Sequence, residues 1–210
     1  MSAVSTGPVP VGDVTFRAPA SPAQSWEEVR KGGEAALRGK IAVWWFLASE
    51  IMLFGGLITS FVLARLGGAA GTHEPLNVTV AAVNTFVLLT SSYTMVEAFG
   101  AAEHGNRPGM RFFLAVTVLA GLGFLGLKVY EYSGEIAHGF TPGRGGFWSF
   151  YYTMTGLHAL HVLIGVVVNS ALLVMAGAAI RRPYRVELAG LYWHFVDIVW
   201  IFLFPLLYLT

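Results

Sequence analysis

The amino-acid sequence predicts an all-α integral membrane protein with five transmembrane helices. Hydrophobic residues make up 55% of its 210 residues and charged residues only 12%, whereas about 25% of an average soluble domain is charged. Five apolar runs are each long enough to cross a bilayer, because about 20 residues rising 1.5 Å each cover the hydrocarbon core. Backbone amides in hydrocarbon need internal partners, so runs of this length are predicted to be helices.

The first 40 residues are predicted to form a cytoplasmic arm ahead of a transmembrane domain at 41–210. The arm is expected to be flexible because its first 25 residues are rich in Pro, Ser, Val and Ala. Ser25 to Glu28 fits a capping box, which predicts a short surface helix within the arm, although Gly32 and Gly33 oppose it. No basic segment followed by a short apolar one opens the chain, so a cleaved signal peptide is not expected.

The five runs differ in composition. The first contains Glu50, the third is rich in glycine, and the fourth is long enough to be tilted or to extend past the membrane. Gly and Ala recur in all of them and allow close approach of helix backbones in lipid. The predicted spans are about 41–65, 77–99, 111–131, 147–179 and 189–209.

The basic residues predict the orientation. Of the 13 Lys and Arg residues, ten lie before span one, between spans two and three, or between spans four and five. The other three are Arg65, Arg144 and Lys128. The positive-inside rule therefore predicts a cytoplasmic N-terminus and an external C-terminus, and five spans require opposite sides for the two ends.

Glu50 lies ten residues into the first apolar run. A carboxylate at that depth costs about 2.5–3.5 kcal/mol on insertion scales, so it is expected to have a partner, to be protonated or to face water. Two interpretations stay open. Glu50 is either a protonated carboxyl hydrogen-bonded to a neighbouring helix or a site that exchanges protons.

Three polar pairs within the spans share an i, i+3 spacing, which places each pair on one helix face. A packing interpretation treats the histidines as interhelical hydrogen-bonding groups, with Asp197 orienting or charging His194. Alternatively, His158 or His161 opposite His194 would ligate heme. Lys128 and Glu131 are expected to pair or to reach the membrane surface. The pairs are His158 with His161, His194 with Asp197, and Lys128 with Glu131.

Composition excludes several other functions. Cysteine is absent, which excludes disulfides, Cys-ligated iron–sulfur clusters and thiolate copper sites. A formal charge of +1 gives no indication of nucleic-acid binding. The aromatic residues fall mostly near the ends of the runs and are interpreted as interfacial belt residues. They are Trp44, Trp45, Trp148, Tyr151, Tyr152, Trp193, Trp200 and Tyr208.

From about Leu37 to Thr210 the chain resembles subunit III of the heme–copper terminal oxidases, in its short five-span bacterial form. The most specific motifs are Thr-Gly-Leu-His-Ala-Leu-His at 155–161 and Tyr-Trp-His-Phe-Val-Asp at 192–197. Span one adds the segment around Glu50, span two contains Asn84-Thr-Phe-Val-Leu-Leu, and span three ends Lys128-Val-Tyr-Glu131-Tyr. The motifs are specific in combination.

The resemblance implies two helix groups around a lipid-filled cleft, with spans one and two in one group and three to five in the other. It implies an accessory subunit without a redox centre, in an enzyme that couples oxygen reduction to proton translocation. Heme and copper are expected in partner subunits. The chain itself is expected to pack directly against subunit I and to bind phospholipid. Membership of a respiratory supercomplex is left open. The implied location is the bacterial inner membrane.

By this resemblance Glu50 is a buried carboxyl, protonated at rest, with His161 or His158 as its hydrogen-bond partner. His194 and Asp197 would fix span five, and Arg181, Arg182 and Arg185 would suit anionic lipid headgroups. Three alternatives remain: an accessory subunit of a nitric oxide reductase, an independent transporter and a heme-binding membrane protein. A transporter would be expected to show internal repeats, and none is visible among the five runs.

Overall fold

The computed structural model describes residues 22–68 and 76–209, with side chains from residue 30 onward. Five long apolar helices in these ranges could each cross a membrane by length and composition, which confirms the predicted fold class. The helices are α1 (Pro22–Leu66), α2 (Val78–Glu103), α3 (Arg107–Ala137), α4 (Gly146–Val174), the short α5 (Ala176–Ala179) and α6 (Tyr184–Tyr208).

Helix α1 begins well before the apolar run. A separate short helix was expected there, but the structure has one helix through Gly32 and Gly33 to Leu66. The chain divides into two units after Ala35, and an Arg30–Glu34 ion pair of 2.8 Å belongs to the first. The capping-box side chains and the predicted arm up to residue 21 lie outside the described parts of the chain.

Asparagine side chains cap α2 and α3. The Asn77 Oδ1 atom accepts from the Val80 N–H at 3.2 Å, and the Asn106 Oδ1 atom accepts from the Gly109 N–H at 3.1 Å. Each bond satisfies one of the amides that a helix start leaves without an intrahelical partner. The connection between the two helices is tight because Gly105 adopts a φ of 69°, which favours glycine.

Helix α4 is shorter than predicted. It ends at Val174, and Met175 separates it from α5, whereas the sequence suggested one run to residue 179. The helix is closed by the Met175 N–H, which donates to the Ala171 carbonyl at 2.9 Å. Gly177 in α5 leaves room for the Arg107 guanidinium, 3.4 Å from the place where a Cβ would lie.

Helices α2, α3, α4 and α6 form one group, in which α2 and α4 each pack against both α3 and α6. The predicted division of spans one and two from spans three to five is therefore wrong for span two. The reason is hydrogen bonding: Thr94 bonds to Thr117 at 2.8 Å, and the Trp193 Nε1–H donates to the Ser91 hydroxyl at 3.0 Å. These contacts tie α2 to α3 and α6.

Helix α1 contacts α4 and α6 mainly through side chains. Toward its end, the Phe61 ring lies 6.3 Å from the Phe147 ring and 5.5 Å from the Phe150 ring. Near its start, the Lys40 Nζ atom lies 2.6 Å from the Glu187 Oε1 atom. We call the end of the helices that contains Lys40 and Arg107 the basic end.

Several aromatic residues predicted for an interfacial belt lie in the core. Trp193 fits between Gly121 and Gly165, where an added Cβ would lie 2.7 Å from its ring. Small residues at these positions thus accept a large ring between helices. Trp200, Tyr151 and Tyr208 are also fully buried, so the belt interpretation is wrong for them; Trp44 and Trp45 are exposed.

Candidate functional site

The buried carboxyl of α1 contacts a histidine of α4. The Glu50 Oε2 atom lies 3.0 Å from the His161 Nε2 atom, and only 14% and 8% of the two side chains is exposed. The Phe54 ring packs edge-on against the imidazole at 5.3 Å. Of the two partners that the sequence offered Glu50, the structure brings His161 to it.

The helix lengths explain how the two groups meet. Measured along the helix axes from the predicted span ends, Glu50 would lie about 15 Å from the start of span one and His161 about 27 Å from the end of span four, both at the basic end. Because α4 ends at Val174, His161 is about 20 Å from that helix end. The remaining difference is small enough for the side chains to bridge.

The hydrogen bonds of His161 define where its protons lie. Its Nδ1 atom lies 2.8 Å from the Leu157 carbonyl oxygen, which can only accept, so Nδ1 bears a hydrogen. The contact between Nε2 and Glu50 then needs one further proton, on either group. Glu50 is therefore a neutral acid donating to Nε2, or a carboxylate accepting from an imidazolium, and the net charge of the pair is zero in both forms.

The sequence of α1 positions Glu50 on the buried side. From residue 30 onward, the buried hydrophobic residues of this helix are Leu47, Phe54 and Phe61. Glu50 shares their side because spacings of three, four and seven residues return to one helix face. On the α6 side, the Tyr192 hydroxyl donates to the His161 carbonyl at 3.0 Å. Side chains from α1, α4 and α6 thus meet at this site.

A second polar cluster joins α3, α4 and α6 toward the other end. The Lys128 Nζ donates to the Glu131 Oε2 atom at 2.8 Å and also to the Tyr208 hydroxyl. The Tyr151 hydroxyl donates to the Glu131 Oε1 atom at 2.9 Å, and the Tyr208 hydroxyl donates to the same oxygen. The ammonium group also lies over the Trp200 ring, 4.7 Å from its centroid, where cation–π attraction adds to the ion pair.

The two remaining intramembrane histidines have other neighbours. His158 is fully buried, and within the described chain its ring nitrogens have no hydrogen-bond partner. It stacks on Trp200 at 5.0 Å and meets the edge of Phe124 at 5.4 Å. His194 bonds through Nδ1 to the Ser92 hydroxyl at 2.6 Å.

The expected pairing of His194 with Asp197 does not form, because α2 brings Ser92 within reach of the imidazole. Asp197 is buried, and both of its carboxyl oxygens have no hydrogen-bond partner among the residues the structure describes. His161 thus contacts a carboxyl, His158 contacts aromatic rings, and His194 contacts a hydroxyl. Within residues 22–68 and 76–209, no three or more His, Cys, Asp or Glu side chains are grouped as metal ligands would be.

Of the three arginines proposed for lipid binding, Arg181 and Arg182 lie in the connection between α5 and α6, and Arg185 lies in the first turn of α6. Arg181 and Arg182 are exposed, and Arg185 is half-buried. Arg185 borders a groove of about 360 Å³ between α1, α4 and α6. The other groove residues are apolar or aromatic: Val43, Phe46, Ile164, Val168, Leu172, Leu188, Ala189 and Tyr192.

Sequence reasoning missed Tyr151, Tyr208 and Ser92 as members of polar clusters. Both tyrosines were assigned to the membrane surface because they fall near the ends of apolar runs. A signal was available, since Lys128 and Glu131 in hydrocarbon require further hydrogen-bonding groups at the same depth. Tyr151 and Tyr208 fall in the neighbouring spans near that depth.

The comparisons with known proteins agree with this architecture. Residues 32–210 match the family model of cytochrome c oxidase subunit III. The chain belongs to the cytochrome c oxidase subunit III family. A Bacillus subtilis cytochrome c oxidase subunit 3 is 36% identical over 186 residues, which cover 84% of this chain and 89% of the relative.

Two further relatives have a different name within the same family. A probable quinol oxidase subunit 3 of Staphylococcus epidermidis is 34% identical over 176 residues. One of Staphylococcus aureus is 33% identical over 176 residues. In both comparisons the aligned region covers 81% of this chain and 88% of the relative. The Glu50–His161 pair and the Lys128–Glu131 pair lie within the range that matches this subunit III family.

Proposed function

We propose that this chain is the accessory subunit III of a proton-pumping terminal oxidase in a bacterial inner membrane. Its N-terminus is cytoplasmic and its C-terminus external. The match to the subunit III family over residues 32–210 supports this role most directly, together with bacterial relatives named as subunit 3 of cytochrome c and quinol oxidases. The chain contributes to oxygen reduction as part of the complex and is not catalytic alone.

The heme and copper centres belong to partner subunits. The three intramembrane imidazoles support this assignment, since His161 is engaged by Glu50 and Leu157, and His194 by Ser92. His158 packs between aromatic rings. Each of these three imidazoles is thus in contact with other groups of the described chain. The chain packs against the catalytic subunit I and stabilises it.

Glu50 and His161 hold a proton for the oxidase. The contact contains one proton that either group can carry without a change in the net charge of the pair. Moving that proton between the two groups therefore leaves no uncompensated charge in the membrane. The pair supports proton uptake by the complex and lengthens the period over which it stays active.

The groove beside Arg185 binds a phospholipid. Its apolar wall from α1, α4 and α6 suits an acyl chain, and the Arg185 guanidinium lies at its edge, where it can donate two hydrogen bonds to a phosphate group. Arg181 and Arg182 are exposed nearby and attract anionic headgroups more generally.

The assignment is tested by purifying the tagged chain in mild detergent, with mass spectrometry of its partners and a reduced-minus-oxidised spectrum. We expect heme and copper to co-purify and to leave with the partner subunits when these are stripped away. A chain that purifies alone would contradict the role, and a heme spectrum retained by the isolated chain would make the histidines ligands.

The lipid site is tested by native mass spectrometry of the purified complex. Arg185→Gln is expected to lose more bound anionic phospholipid than Arg181→Gln, because Arg185 borders the groove, whereas Arg181 is exposed and attracts headgroups less specifically. If both variants retained the same amount of anionic phospholipid as the wild type, these arginines would serve only to set the orientation of the chain in the membrane.

A further inference from the structure

The outward face of α2 differs from the outward faces of the other spans. Four residues spaced by four, three and four positions share this face, and they are Phe86, Thr90, Tyr93 and Glu97. Phe86 is 72% and Tyr93 63% exposed, Thr90 is exposed and Glu97 is half-buried. We call these four residues the α2 stripe.

The α2 stripe places a phenol and a carboxyl, those of Tyr93 and Glu97, along an outward side of the helix. The exposed large residues in the middle of α3, α4 and α6 include Leu119 and Leu122, Leu163 and Val167, and Ile198. Exposed hydroxyls such as those of Ser49 and Ser60 on α1 bond to carbonyls of their own helix, and the Thr90 hydroxyl likewise bonds to the Phe86 carbonyl at 2.9 Å. Glu97 instead is a carboxyl at the margin of an outward face, six residues before the end of α2.

Glu97 has an incomplete set of partners. Tyr93 lies four residues before Glu97, which places the two side chains next to each other on the helix surface, and Tyr93 is itself exposed. None of the described cationic side chains forms an ion pair with Glu97. Six residues correspond to about 9 Å from the helix end, so lipid there would leave the carboxyl poorly solvated.

We propose that the α2 stripe is the contact surface for a transmembrane helix of another oxidase subunit, which presents a hydrogen-bond donor to Glu97. This inference rests on the proposed function for the existence of the complex. The partner is expected to present a hydrogen-bond donor because the oxygens of a carboxyl group accept hydrogen bonds. Phe86, Thr90 and Tyr93 supply the packing surface along about two turns of the helix.

Polar groups on a membrane helix normally face a protein interior or a partner, because hydrocarbon offers them nothing to bond to. In the isolated chain the interior of the four-helix group is already occupied by the opposite side of α2, with Asn84, Leu88, Ser91 and Met95 buried. A partner helix is therefore the remaining way to cover the carboxyl and the phenol together.

Crosslinking tests the surface in the intact complex. Because the chain contains no cysteine, Thr90→Cys and Leu122→Cys each introduce a single thiol, which a benzophenone maleimide can label. We expect Thr90→Cys to form an adduct with one specific oxidase subunit, and Leu122→Cys, on the outward face of α3, to form none. An adduct with a second copy of this chain, or no adduct from Thr90→Cys, would overturn the inference.

Substitution of Glu97 gives an independent readout. Glu97→Leu is expected to reduce retention of this chain by the heme-bearing subunits about three- to tenfold, as the loss of one interhelical hydrogen bond implies. Glu97→Gln, whose amide oxygen still accepts, should stay close to the wild type. If the stripe faces lipid, Glu97→Leu will instead leave retention unchanged and raise the thermal stability of the chain.

Purification of the wild-type chain distinguishes a failure of this inference from a failure of the proposed function. Purification without any heme-bearing partner would overturn both. The contact surface alone would be overturned by a different result: the oxidase retains the wild type, Thr90→Cys forms no adduct, and Glu97→Leu is retained as well as the wild type.

Discussion

Two buried carboxyls in this protein differ in how completely their hydrogen bonds are satisfied. Glu131 receives bonds from Lys128, Tyr151 and Tyr208, so its charge is balanced and both of its oxygens are engaged. Glu50 has one partner among the described residues, His161, which is itself able to take the proton. The Glu131 cluster therefore holds a fixed charge distribution, whereas the Glu50 pair allows a proton to change place.

The two carboxyls also differ in what they join. The Glu131 cluster connects α3, α4 and α6, and α4 packs directly against both of the other two. Glu50 lies on α1, which contacts α4 and α6 mainly through side chains. A substitution at Glu131 should therefore act on folding, and one at Glu50 on function.

The largest effect is expected for Glu131→Leu. The variant leaves the Lys128 ammonium buried without its carboxylate, which typically costs about 3–5 kcal/mol, and thermal unfolding in detergent would measure the loss. The double variant Lys128→Met with Glu131→Leu is the control, because replacing both charges by apolar groups of similar size is often close to neutral. Equal losses in the single and double variants would show that the charge balance does not matter.

A smaller loss is expected for Tyr208→Phe. The hydroxyl accepts from Lys128 and donates to Glu131, so its removal should cost about 1–3 kcal/mol by leaving buried groups partly unsatisfied. Tyr130→Phe, an exposed tyrosine on α3, is the matched control and should change the unfolding temperature little. Similar shifts in both variants would argue against a specific role for the Tyr208 hydroxyl.

The contrast also shows what the sequence could and could not predict. The five spans were predictable because apolar length alone identifies them. The packing of α2 with α3, α4 and α6 was not, since lipid-facing and core-facing positions are equally apolar and leave no periodic pattern. Hydrogen bonds such as Trp193 to Ser91 fix that packing, and they depend on which helices are neighbours.

The site was predictable to a similar extent. A partner for Glu50 on span four followed from the cost of a carboxyl in the membrane, but the choice of His161 over His158 depends on the rotation and the end of α4. The burial of Tyr208 was missed because position near the end of a run does not distinguish a belt residue from one that reaches inward. Its contact with Lys128 follows from the parallel arrangement of α3 and α6, which both begin at the basic end and so place Lys128 and Tyr208 at similar depth.

Glu50→Gln is expected to leave the fold intact while altering function. A glutamine amide can donate to the His161 Nε2 atom, so the free energy of unfolding should change by less than about 1 kcal/mol. The variant loses the proton that the pair shares, so proton uptake by the intact oxidase should be slower and the enzyme should inactivate after fewer turnovers.

Glu103→Gln, at an exposed position ending α2, is the control for Glu50→Gln and should keep wild-type uptake. Adding His161→Phe to Glu50→Gln should slow uptake no further, because both residues act through one pair and their effects are not additive. A further decrease in the double variant would show that His161 acts on uptake separately from Glu50.

The smallest effect is expected for Glu187→Gln, which removes the ion pair between α6 and Lys40 on α1. The two side chains are 28% and 42% exposed, and water and salt screen such pairs, so the loss should be about 0–1 kcal/mol and should fall as salt is raised. Lys40 is about 15 Å along the helix from Glu50, so the stability effects of Glu187→Gln and Glu50→Gln should add. If Glu187→Gln instead destabilised the chain more than Glu131→Leu, α1 would be anchored chiefly at its basic end and the Glu50 pair would contribute little to its attachment.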